Sequence, residues 1–317
     1  MMGWLRSWEG GLLVVFLATL ALNVSFAPEF LTVQNQINLF QLSVEKIIVA
    51  LVMTLIIINA EIDLSVASVM GLAAVVFAYL LNHGWGGGSA ALVCIGVGII
   101  AGLVNAVLVA RVGIPSLVVT LAMMICFRGF SRVIVQDTSL GNFPDWVTDL
   151  GQKGLIGPLP LSLVLFFVLL VALGVLLHRT GFGRQVVVIG TNAEVARFSG
   201  VDVARVKETL FVMSAVISAV AGVLYAARLG SVRGDSALGF ELDIITMVLL
   251  GGVSIFGGKG SMVGVFLAIL IILNLRNGMA LMNITGHVQT GVIGSLLILS
   301  VLLPNLVGDL RTRRARA

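Results

Sequence analysis

Residues 161–177, LSLVLFFVLLVALGVLL, hold no charged side chain over a length close to what a helix needs to cross a bilayer. Nine further apolar runs lie at about 11–27, 41–59, 65–82, 89–110, 114–135, 208–227, 244–256, 261–281 and 288–303. Lipid offers no partner for backbone N–H and C=O groups, so such segments must be helices or the strands of a closed barrel. A barrel would show short stretches alternating apolar and polar, and these runs do not alternate. The composition agrees: 59% of residues are hydrophobic and 11% charged, against about 25% charged in soluble domains. The expectation is an all-α, polytopic integral membrane protein of about ten transmembrane helices, forming one domain over residues 1–317. The 37 glycines suit close helix packing, as at Gly98-xxx-Gly102 and Gly260-xxx-Gly264.

Run 244–256 has only 13 residues, so it reads as a broken or re-entrant segment, or one reaching back to Leu238. Ser25-Phe26-Ala27 has the form of a signal-peptide cleavage site, but the many spans that follow favour a retained first helix. Asn23-Val24-Ser25 has the form of a glycosylation site and is discounted because it falls within that helix.

The net charge of +4 comes from dispersed loop residues with no basic, aromatic-interleaved face, which excludes nucleic acid as a partner. Membrane orientation accounts for it. With the N-terminus inside, twelve of the 19 Lys and Arg fall on the cytoplasmic side, among them Arg6, Arg111, Lys259, the 178–207 loop and the basic tail 304–317. Both termini are then cytoplasmic. Cys94 and Cys126 sit within apolar runs, away from any metal-ligand spacing, and read as small buried hydrophobes.

The 178–207 loop carries a polar-edged island, Gly190-Thr191-Asn192-Ala193-Glu194-Val195-Ala196-Arg197-Phe198-Ser199-Gly200. Thr191 and Glu194 have capping-box spacing, and Gly200 suits a left-handed helix end. About eight helical residues follow, roughly 12 Å, far too short to cross a bilayer. Val195, Phe198 and Val201 recur on one face that can rest on protein, leaving Asn192, Glu194 and Arg197 toward a partner or solvent.

Other polar features fall at run ends. Glu61-Ile62-Asp63-Leu64-Ser65 places two acids beside a helix start, where Asp63 or Ser65 can cap the helix or the acids can line an aqueous path. Gly239-Phe240-Glu241-Leu242-Asp243 repeats the theme before the short run. Asn105, Asn274 and Asn277 either tie helices together or hydrogen-bond a hydroxylated solute. Arg128 and Arg132 share one helix face and can snorkel to the interface. Residues 136–160, with Asp137, Pro144, Asp145, Trp146 and Asp149, form the longest external segment and can dock a partner. His83, His178 and His287 lie singly, giving no catalytic or metal cluster. Gly257-Gly258-Lys259-Gly260-Ser261 fails as a phosphate loop: a glycine separates Lys259 from Ser261, and Val253 stands where the first glycine is required. It reads as a tight turn. With no nucleotide-binding or catalytic motif, the chain is not expected to be an enzyme or to need a cofactor.

Together these motifs resemble the membrane permease subunit of bacterial ATP-binding-cassette sugar importers of the ribose, xylose and rhamnose branch, over about residues 40–305. The carriers are Glu61–Val66, Arg179–Arg184, Gly190–Gly200, Gly239–Asp243 and Leu250–Gly260, in that order. Glu61, Cys126-Phe-Arg-Gly-Phe130 and Leu177-His-Arg-Thr180 look most similar to the rhamnose type. The resemblance implies that Thr191–Gly200 is a coupling helix seated in a separate ATPase subunit, with Thr191, Asn192, Glu194, Ala196, Arg197, Phe198 and Gly200 at the contact. It also implies a periplasmic sugar-binding protein, a second permease subunit, either a copy or a similar chain, and alternating access in the bacterial inner membrane. One departure is the run Thr191-Asn192-Ala193-Glu194-Val195, where relatives more often continue into consecutive alanines. The candidate path or gating residues are Glu61, Asp63, Ser65, Asn105, Glu241, Asp243, Asn274 and Asn277. The competing readings are an ion-gradient-driven secondary transporter that uses Glu61, Asp63, Glu241 or Asp243, an intramembrane enzyme, and the same importer role with another sugar or a sugar-derived signal molecule.

Overall fold

The computed structural model describes residues 8–27, 29–136, 138–156, 159–299 and 302. Arg6, Asp137, the basic tail 304–317 and the end of the last run lie outside the described residues. Each apolar run coincides with a helix over at least part of its length. α1 (Trp8–Phe26), α2 (Val33–Gln41), α3 (Val44–Ile58), α4 (Val66–Asn82) and α5 (Gly87–Ala106) are followed by a π-helical turn, Val107–Arg111, and α6 (Ser116–Val135). Next come β1 (Ser139–Gly141), α7 (Asp145–Gln152), β2 (Gly154–Ile156) and β3 (Leu159–Pro160). Then follow α8 (Leu161–Arg179), α9 (Gly181–Thr191), α10 (Ala193–Phe198), α11 (Val203–Leu229), β4 (Ser231–Arg233), α12 (Phe240–Leu250) and α13 (Met262–Leu281). The last described helix is α14 (Gly286–Leu299).

The expected ten complete spans are not all present by length. Among the described residues six helices, α1, α5 with its π turn, α6, α8, α11 and α13, are long and apolar enough to cross, and the α2–α3 pair, bent by 55°, makes a seventh if it is counted as one broken span. α4 and α14 are shorter apolar helices, and α12 has 11 residues. The short run therefore does not extend back to Leu238. It begins at Phe240 and stops where Gly252, at φ +84°, turns the chain.

The core lies around α3, every residue of which is buried, and α11, which packs on α3, α4, α5 and α7. Gly98 and Gly102 allow the α5–α11 contact, since a Cβ on Gly102 would stand 2.6 Å from the Val212 Cα. The Asn23 side chain is buried and donates to the Asn274 carbonyl at 2.8 Å, which fits an interior helix residue and no glycan. Cys94 is buried as expected, but Cys126 is exposed on the outer face of α6. An apolar run does not say which of its faces meets lipid.

At the end of the bundle away from α10, β1 pairs antiparallel with β4, so the 136–160 segment is tied to the connection after α11. α7 packs on α11, and Gln152 donates to the Arg228 carbonyl at 2.9 Å. The expected loop is thus an ordered cap that leaves Trp146 half exposed.

Candidate functional site: the α9–α10 segment and two buried polar layers

Asn192 breaks the chain between α9 and α10. Its extended backbone, φ −163° and ψ 107°, lets Oδ1 accept from the backbone N–H of Glu194 at 2.9 Å and of Val195 at 3.0 Å. Asn192 is therefore the N-cap, and the expected Thr191–Glu194 capping box does not form. Thr191 remains in α9 and donates to the Val187 carbonyl at 2.9 Å. Gly200, at φ +82°, closes the motif as expected. The helix is shorter than the eight residues expected, with six from Ala193 to Phe198. Its orientation also differs: Ala196 is buried, Val195 is 55% exposed and Phe198 is 92% exposed. Glu194 and Arg197 are exposed beside them, so α10 presents a mixed charged and apolar surface.

Glycines hold this segment against the interior. The Gly258 N–H donates to the Ile58 carbonyl, the last residue of α3, at 2.8 Å. A Cβ on Gly190 would lie 1.8 Å from that same oxygen and 2.7 Å from the Gly258 nitrogen. Gly257 and Gly258 have positive φ, +80° and +72°, and press on Gly190 and Thr191 respectively. The Gly257–Ser261 stretch is a tight turn, as expected, but it is also the seat on which α9 and α10 rest. Phe256, in the same turn, is 78% exposed. Phe198 of α10 is likewise exposed.

The first polar layer lies at this same end. Asp63 is buried, and its Oδ1 accepts from the Ser65 backbone N–H at 3.0 Å and the Ser65 hydroxyl at 2.6 Å. Its Oδ2 accepts from the Ser214 hydroxyl of α11 at 3.0 Å, while Asn105 of α5 donates to Ser65 Oγ at 2.8 Å. Neither Asp63 nor Ser65 caps the start of α4 through its side chain, contrary to the capping reading; they join the α3–α4 connection to α5 and α11. Glu61 pairs with Lys207 of α11, and the next residue, Glu208, pairs with Arg111, whose Nη2 is 3.2 Å from Oε2. Arg111 ends the π-helical turn, a deviation that is frequent at functional sites.

The second layer lies at the opposite end. Glu45 accepts from Arg228 at 2.7 Å, Asp243 from Lys46 at 3.0 Å and from Arg276 at 2.6 Å, and Arg128 Nη2 reaches both Glu241 oxygens at 2.9 Å. Arg128 therefore does not snorkel outward. It supplies the countercharge for Glu241, which begins α12 with Asp243 as expected. Asn277 exchanges reciprocal 2.9 Å hydrogen bonds with Asn35 of α2, and the Asn274 amide donates to Leu270 of its own helix at 2.6 Å. Asn105 and Asn277 are thus ties between elements, and the Asn274 side chain is not. A cavity of about 220 Å³ opens beside this layer, lined by Ser43, Lys46, Arg276, Asn277 and Gln289 among others. The structure brings Glu61, Asp63, Ser65 and Asn105 together at one end and Glu241, Asp243 and Asn277 at the other.

Sequence reading missed Ile58, Gly257 and Gly258 as the seat and Phe256 as part of its surface. The adjacent glycines after an aromatic were a visible signal of a close backbone approach. The partners of the buried acids were not visible, because they lie far away in the chain, as with Glu45 and Arg228.

Residues 35–301 match the family described as branched-chain amino acid transport system / permease component. Proteins named Autoinducer 2 import system permease protein LsrD are similar: that of Yersinia enterocolitica is 36% identical over 261 residues, covering 80% of this chain and 78% of its own. That of Photorhabdus laumondii is 33% identical over 305 residues, covering 93% and 90%. No solved structure matches. The chain belongs to this permease family and is the multi-pass membrane component of an importer of the ATP-binding-cassette class, in its sugar-type branch.

Proposed function

We propose that the chain carries a small, sugar-derived signal molecule of the autoinducer-2 type across the bacterial inner membrane, driven by ATP hydrolysis in a separate subunit. The observation that carries the coupling is α10, a six-residue helix seated by Gly190 and Gly258 on the end of α3, with Phe198 92% exposed. Such a surface fits a groove in an ATPase, and its backbone contacts give a rigid route from that groove to α3. The positive-inside count supports a cytoplasmic side for α10 and both termini. A periplasmic binding protein then docks at the β1–β4 end, and a second permease subunit, a copy or a similar chain, completes the path among membrane lipids.

The names of the relatives favour a sugar-derived signal, and nothing in them favours rhamnose. In this reading Glu61, Asp63, Ser65 and Asn105 brace the inner end, Glu241 and Asp243 brace the outer end, and the cavity beside Asn277 offers hydrogen bonds to a hydroxylated solute. The gradient-driven alternative is disfavoured by the geometry of its own residues. Glu61, Glu241 and Asp243 each hold a basic partner, and Asp63 already accepts three hydrogen bonds.

The test is uptake of labelled autoinducer-2 by cells that hold the complete system. Uptake is expected to stop on ATP depletion, to persist when an ionophore collapses the gradients, and to be unaffected by excess rhamnose. Uptake that follows the ion gradient instead would overturn the ATP-driven reading. Competition by rhamnose would overturn the assignment of the solute.

A further inference from the structure

Between α8 and α13, at the α10 end of the bundle, runs an open groove of about 310 Å³. Its walls are Leu170, Gly174, Met262 and Phe266, and its end is formed by His178 and Arg179. From Leu170 to His178 the groove follows about 12 Å of helix, close to the roughly 15 Å of hydrocarbon in one leaflet. Gly174 keeps the floor open, since a Cβ there would meet only Met262 Cγ, at 3.8 Å. Val175 and Val263 beside it are half exposed, as residues facing acyl chains are.

The basic end distinguishes this groove from an ordinary lipid-facing crevice. Arg179 is exposed and makes no ion pair among the described residues. Arg184 is equally without one, and its Nη2 would lie 3.8 Å from a Cβ on Gly181, at the start of α9. His178 accepts the Met262 backbone N–H at 3.4 Å through Nε2, which fixes its ring at the mouth. The unpaired guanidinium of Arg179 thus closes the groove, and a second, that of Arg184, lies against the start of α9.

We infer that this groove binds an anionic phospholipid, with one acyl chain between α8 and α13 and its phosphate at Arg179 and Arg184. Apolar walls one leaflet deep fit the chain, and basic pockets between spans fit anionic head groups. Choline lipids lack the net negative charge that this end complements. The leaflet assignment rests on the orientation proposed above, whereas the chemistry does not. The lipid joins α8, which leads into α9 and α10, to α13, which begins just after the glycine seat, so its occupancy stiffens the support of the coupling segment.

The test uses the purified, delipidated full chain in detergent, titrated with phosphatidylglycerol or phosphatidylcholine and followed by native mass spectrometry and thermal melting. Phosphatidylglycerol is expected to be retained and to raise the melting temperature, while phosphatidylcholine and inorganic phosphate do neither. Arg179→Gln should weaken retention about fivefold. Gly174→Leu, which fills the floor, should abolish retention while the lipid-free melting temperature stays within a few degrees. Equal retention of the two lipids would overturn the inference, as would undiminished phosphatidylglycerol binding in Gly174→Leu. None of these readouts depends on transport, so failure here leaves the proposed function standing.

Discussion

Gly190→Ala is expected to cut ATP-driven uptake about tenfold or more, although it replaces a poor helix former with the best one. Glycine inside a helix costs up to about 1 kcal/mol relative to alanine, so propensity alone makes this change stabilising. The contact decides otherwise. The new Cβ would stand 1.8 Å from the Ile58 carbonyl oxygen and 2.7 Å from the Gly258 nitrogen, the two atoms whose hydrogen bond joins α3 to the glycine seat. Both are backbone atoms, so no side-chain rotation relieves the overlap; α9 must lift or the bond must open. Overpacking of even ordinary core sites costs about 1–3 kcal/mol. At about 1.4 kcal/mol per tenfold, a displacement of that size removes most of the correctly seated α10. The control is Gly11→Ala on α1, where a Cβ meets nothing within 4 Å and no loss is expected. Wild-type uptake in Gly190→Ala would show that the seat does not transmit motion.

Arg228→Met lowers stability by about 3–5 kcal/mol, because it leaves the Glu45 carboxylate buried without its countercharge. The Glu45 side chain is 1% exposed, and both its oxygens accept from Arg228, at 2.7 and 3.2 Å. The neighbouring Lys46 cannot take over, since Asp243 holds it at 3.0 Å. The loss is expected as a drop in thermal melting temperature of the purified chain. The double substitution Glu45→Leu with Arg228→Met should recover most of it, because apolar replacement of a buried pair is often neutral. A double variant as unstable as the single one would mean that Arg228 acts through its stem and its stacking on Tyr225, 5.6 Å away, and not as a countercharge.

The fold was legible wherever one physical rule dominated. Run 114–135 became Ser116–Val135 and run 261–281 became Met262–Leu281, because lipid forces long apolar stretches into helices. Breaks were harder. The bend between α2 and α3 and the early stop of α12 depend on what packs beside them, which hydropathy does not carry. The α9–α10 segment was visible as a polar island, yet its cap fell on Asn192 one residue later than the Thr191–Glu194 spacing suggested, because Thr191 is spent within α9. The acids at 61–63 and 241–243 were visible as acids at helix ends. Their roles were set by Lys207, Arg128, Lys46 and Arg276, brought to them only by the fold.

α10 is proposed as the ATPase contact, and capture of that subunit measures it. The chain should be tagged, extracted gently from its native membrane, and its co-purifying proteins identified by mass spectrometry, alongside Phe198→Ser and a variant with residues 191–200 replaced by a Gly-Ser linker. Phe198 is 92% exposed, so its replacement leaves the permease folded, whereas a buried aromatic anchor at an interface is worth about 2 kcal/mol or more. The wild-type chain is predicted to bring down a nucleotide-binding subunit, Phe198→Ser at least about tenfold less of it at unchanged melting temperature, and the linker variant none. An ATPase recovered equally with all three chains would contradict the account.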